Sequence, residues 1–67
     1  MDKKFEISGL MSTLSADASS IYMLAAEVAE AVEPNSSDYF KLHAVCTVAE
    51  RQIQLIEQID DMVMELQ

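Results

Sequence analysis

Between residues 11 and 32 the apolar positions recur at alternating steps of three and four: Met11, Leu14, Ala18, Ile21, Ala25, Val28 and Val32. Residues three and four apart share a helix face, so this is the a/d seam of a helix packed on another helix. Leu10, Leu24 and Ala29 widen the stripe, and alanine at 18 and 25 lets a neighbour approach closely.

The second half of the chain divides more sharply. At about 100° per residue, one side carries Leu42, Val45, Cys46, Val48, Ala49, Ile53, Leu55, Ile56, Ile59, Met62, Val63, Met64 and Leu66. The other carries His43, Thr47, Glu50, Arg51, Gln54, Glu57, Gln58, Asp61 and Glu65. The apolar side spans roughly 200° of arc, where a surface helix shows about 100° or more. One antiparallel neighbour cannot cover that width.

One break separates the halves, "VEPNSSDYF" at residues 32–40. Pro34 disfavours helical geometry at Glu33 and cannot continue a helix arriving from the N-terminal side. Asn35, Ser36 and Ser37 are good N-caps, and Asp38 suits the first turn that follows. The expected organisation is a single helical hairpin over 1–67. It has an N-terminal arm (1–8), helix 1 (about 9–33), a turn (34–36) and helix 2 (about 37–66). So short a turn makes the helices antiparallel, with facing residue numbers summing to roughly 69 or 70.

The expected fold class is therefore all-α, an antiparallel two-helix hairpin pairing as a homodimeric four-helix bundle. A hairpin with helices about 40 Å long would leave large apolar side chains in water, and so wide an apolar surface marks an interface. The residues expected at that interface are Leu24, Val48, Leu55, Ile59, Met62 and Leu66. Two polar residues, Asp17 and Gln52, interrupt the apolar arcs at matching heights. With Arg51 they form a candidate polar layer that fixes register or oligomeric state. The competing reading puts Asp17 at the rim and packs Gln52 by its methylenes.

Composition supports this picture and narrows it. At 67 residues the chain allows one domain with a marginal core. Its one cysteine excludes an internal disulfide, which leaves a partner subunit as the expected source of stability. Glycine and proline occur once each, and half of the residues are hydrophobic. That is neither a β-protein's nor a disordered chain's composition.

Twelve acids against four bases give a net charge of −8, which argues against nucleic acid or an anionic membrane as partner. No run is long and apolar enough to suggest a membrane span. Lys3, Lys4 and the Ala16-Asp17-Ala18 arrangement faintly imitate a secretory leader. Serine, glycine and threonine interrupt the apolar stretch between them, and Asp2 and Glu6 flank the lysines, so a cytoplasmic protein is the expectation.

Candidate chemistry is sparse. His43 and Cys46 are three apart, but a nucleophilic cysteine needs a base and an electropositive setting. Here His43 stands near Glu50 and Glu57, while Cys46 sits at the edge of the apolar arc and behaves as a small hydrophobe. The two are expected to point in different directions, and two ligands are too few for a structural zinc. No catalytic, metal or cofactor site is expected. With one glycine, a phosphate loop or dinucleotide fingerprint is excluded.

The carboxylates Glu27, Glu30 and Glu33 line the end of helix 1, and Glu57, Asp60, Asp61 and Glu65 line the end of helix 2. Both groups sit where the helix dipole disfavours them. Antiparallel packing is expected to bring Lys3 and Lys4 near Asp61 and Glu65, and Lys41 near the end of helix 1. Met11, Met62 and Met64 are expected to fill core, and Met23 to project into solvent.

The functional expectation is a non-enzymatic protein–protein interaction module, partnered by itself or by a helical protein. The alternative is an acidic inhibitor presenting Glu27, Glu30, Glu33, Glu57, Asp61 and Glu65 to a nucleic-acid-binding or other basic groove of a target.

Overall fold

A computed structural model describes residues 3–66 of the chain. Two α-helices, α1 (Lys3–Ala31) and α2 (Ser37–Glu65), pack against each other, and there is no strand among the described residues. The hairpin is 51 Å long and 16 Å by 10 Å across.

The turn forms as its residues dictate. Asn35 adopts φ 64°, a left-handed conformation that asparagine tolerates better than most residues. This lets the Ser36 N–H donate to the Glu33 carbonyl at 3.2 Å. Ser36 is the N-cap of α2, its hydroxyl accepting from the Tyr39 N–H at 3.1 Å. Asp38 follows in the first turn, where a negative charge complements the helix dipole.

α1 begins earlier than the sequence reading placed it. The described part of the expected arm, from Lys3, is helical and runs through Gly9 without a break. Residues 1 and 2 of that arm lie outside the described residues. Glu6 in the first turn suits the positive end of the helix, and the Lys4 ammonium donates to the Leu66 carbonyl at 3.1 Å. That contact ties the start of α1 to the end of α2. Gly9 is an exposed interior position, so its cost is conformational entropy alone.

The seam between the helices is lined by small residues. Only Ala18, Ala25, Ala29 and Ala49 are buried among the described residues. On α1 the half-buried positions include Ser8, Met11 and Ser15, and Val32 just after the helix is half-buried too. On α2 the inward set is Leu42, Cys46, Ala49, Ile53, Ile56, Asp60 and Val63, at alternating steps of four and three.

This corrects the α1 seam expected from periodicity. Met11, Ala18, Ala25 and Val32 do face α2, but Leu14, Ile21 and Val28 are exposed. Ser15 and Ala29 lie in the inward half of the helix instead. The physical reason is distance: the interaxial spacing depends on the side chains at the contact, and alanine and serine permit the closest approach. Turning α1 by about half a position keeps Met11, Ala18, Ala25 and Val32 inward, brings Ser15 and Ala29 in and turns Leu14, Ile21 and Val28 out.

Candidate interaction face

What α1 turns outward is itself regular. Ile7, Leu10, Leu14, Asp17, Ile21, Leu24 and Val28 recur at steps of three and four, and all are exposed. α2 has the same device. Val45, Val48, Gln52, Leu55, Ile59, Met62 and Leu66 follow the same steps one position away from its inward seam, again all exposed. The wide apolar arc of α2 is thus two adjacent seams, of which α1 covers one.

Both outward stripes lie on the same side of the hairpin. Each is displaced from its inward seam in the same rotational sense, and because the helices are antiparallel that sense leads to one common face. The groove between them shows it directly. A hollow of about 340 Å³ is lined by Ala18 and Ile21 from α1 and by Ala44, Val45, Val48, Ala49 and Gln52 from α2. The six expected interface residues Leu24, Val48, Leu55, Ile59, Met62 and Leu66 all belong to these stripes. Leu24 and Met62 are each 62% exposed and Leu66 63%.

Asp17 and Gln52 interrupt the two stripes near their midpoints, on one face rather than on separate surfaces. Gln52 lines the groove and Asp17 sits further out on the flank of α1. Arg51 is exposed on the outer side of α2. Among the described residues no hydrogen bond or ion pair joins these three within a single hairpin.

The opposite face is polar. Met23 is exposed, as its place outside the apolar stripe implied, but Met62 and Met64 are exposed too and only Met11 is half-buried. Glu27, Glu30, Glu33, Glu57, Asp61 and Glu65 are all exposed. They form two groups at opposite ends of the hairpin, because each lies toward the C-terminus of its own helix. Asp60 departs from its neighbours. It occupies an inward seam position, and its Oδ1 is buried without a hydrogen-bond partner. Periodicity carried that signal, since Asp60 falls four residues after Ile56 and three before Val63.

His43 and Cys46 come closer together than the sequence reading allowed. With Tyr22, Ala26, Ala29, Glu30 and Tyr39 they line one hollow of about 270 Å³ on the polar side. The His43 ring lies 4.4 Å from the Tyr39 ring, and the Cys46 thiol donates weakly to the Tyr22 carbonyl at 3.7 Å. Three residues apart on a helix differ by about 60° in direction, so both border the same edge of the seam. These contacts hold the two side chains in packing and local hydrogen-bonding roles.

Among the described residues no group of three His, Cys, Asp or Glu side chains is placed to hold a metal ion. No helix there is long and apolar enough to cross a membrane. Comparison of the chain with protein-family models, curated proteins and solved structures finds no match.

Proposed function

We propose that this protein is a non-enzymatic protein–protein interaction module, an adaptor, small chaperone or regulatory subunit, whose working surface is the outward apolar face. One observation carries the reading. The hairpin buries four alanines among its described residues while Leu10, Leu14, Ile21, Leu24, Val48, Leu55, Ile59 and Met62 stand exposed on one side. Apolar burial drives both folding and association, and here most of the burial is left to association. A second helical hairpin laid on this face completes a four-helix bundle, in the form of a homodimer or with a helical protein in place of the second copy. A lone free thiol agrees with a cytoplasmic setting.

The competing acidic-inhibitor reading draws less support, because the carboxylates split between two ends instead of forming one surface. Light scattering on purified variants tests the apolar face against the carboxylates as the surface that drives association. Leu55→Asp with Ile59→Asp should abolish association, whereas Glu57→Gln with Asp61→Asn should leave it intact. Association should also persist in about 1 M salt, where charge contacts are screened beyond about 3 Å. Retained association in the first variant, or loss in high salt, would reverse the assignment.

A further inference from the structure

We infer that the outward face is occupied by a second copy of this chain, seated with its turn at the same end, so that α1 lies on α2 of the second copy. The inference rests on the reading that this face is an association surface, and it names the occupant and its orientation.

Area supplies the first argument. A folded monomer of 7.5 kDa exposes about 4,250 Å². This hairpin exposes 5200 Å², an excess of about 950 Å². One side of a standard protein–protein interface buries about 800 Å². The surplus is thus what a single partner of similar size removes, and a second hairpin of the same length and pattern matches the face along its whole 51 Å.

Charge supplies the second argument and fixes the orientation. Two closed two-fold arrangements stack one hairpin face on another. With turns at opposite ends, α1 packs on α1 of the second copy. Full overlap of two helices spanning Lys3–Ala31 then centres the axis at residue 17 and sets Asp17 against Asp17. Like charges meet at this midpoint, which disfavours the arrangement.

With turns at the same end, α1 packs on α2 of the second copy in the register that already holds the hairpin. Asp17 then stands level with Gln52 of the second copy and beside its Arg51. Leu14 meets Leu55 on one side of this layer, and Ile21 meets Val48 on the other. Each polar midpoint gains a complementary partner, and every neighbouring layer is apolar. One polar layer in an apolar seam is a known device for fixing register and orientation.

The test places a spin label at the exposed first residue of α2, Ser37→Cys in a Cys46→Ala background, and measures the distance between labels by pulsed dipolar spectroscopy. Helices in contact are 8–10 Å apart, so the same-end arrangement puts the labels about 10–25 Å apart. A distance near the 51 Å length of the hairpin would overturn the inference while leaving the association surface in place. A monomeric unlabelled chain would overturn the inference and leave the face to a helical protein partner. Gln52→Glu gives a second readout free of labels. It sets a carboxylate against Asp17 of the second copy twice per dimer and should weaken association at least tenfold, with recovery when Asp17→Lys is added. Unchanged association in Gln52→Glu would contradict the pairing.

Discussion

The Cys46 thiol lies 3.7 Å from the Tyr22 carbonyl oxygen, and this pair marks the register of the hairpin in the half of the seam nearer the turn. Their residue numbers add to 68. Lys4 and Leu66, in contact at the far end, add to 70. The helices therefore run level over most of their length, and positions on the outward face inherit the same register. A thiol is a weak donor, so the bond itself contributes little. His43→Ala with Cys46→Ala should keep the helical circular dichroism and lower stability by no more than about 1 kcal/mol. A loss of association in that double variant would assign the hollow beside Tyr39 a role beyond packing.

Gly9 sits in the interior of α1, exposed, with nothing within 4 Å of where a Cβ would stand. Glycine costs about 0.8–1.0 kcal/mol relative to alanine at such a position. Gly9→Ala should raise the unfolding free energy by that amount and leave association unchanged. A neutral or destabilising result would mean that α1 does not continue through residue 9 in solution.

Ser36 accepts a hydrogen bond from the Tyr39 N–H at 3.1 Å and starts α2. Replacing such a cap by alanine costs about 1 kcal/mol. Ser36→Ala should show that loss in chemical denaturation, while Ser36→Asp, which keeps an acceptor, should recover it.

Among the described residues Asp60 is the one carboxylate placed on the inward seam, with Oδ1 buried and unpaired. A buried acceptor without a partner costs about 1–3 kcal/mol. Beside it, Met11, Ser12, Ser15, Ile56 and Glu57 complete the lining of a hollow of about 140 Å³. Asp60→Leu, which removes the charge and fills apolar space, should raise the melting temperature. A fall would show that water or an ion satisfies the carboxylate in the folded protein.

The hairpin was legible because its signals are local: heptad spacing in both halves, one proline and a run of capping residues at 34–38. Two features were not. The start of α1 was misplaced because Gly9 reads as a helix boundary, whereas good helix formers before it and the Lys4–Leu66 contact carry the helix back to Lys3. The phase of α1 was off by about half a position because periodicity identifies an apolar stripe without saying which edge faces the partner. Leu14, Ile21 and Val28 fit the spacing as well as Ser15 and Ala29 do, and only the closeness of the two backbones decides for the smaller set. Asp17 and Gln52 were visible as exceptions in apolar arcs. Their sharing of one outward face follows from the corrected phase, which the spacing alone did not contain.

The central claim is that the outward apolar face is covered in the native protein by a second copy of this chain. Sedimentation equilibrium on the purified, unmodified chain at micromolar concentration tests it most directly. A species of twice 7.5 kDa with cooperative, concentration-dependent thermal unfolding is the expected result. A stably folded species of 7.5 kDa whose melting temperature does not change with protein concentration would contradict it.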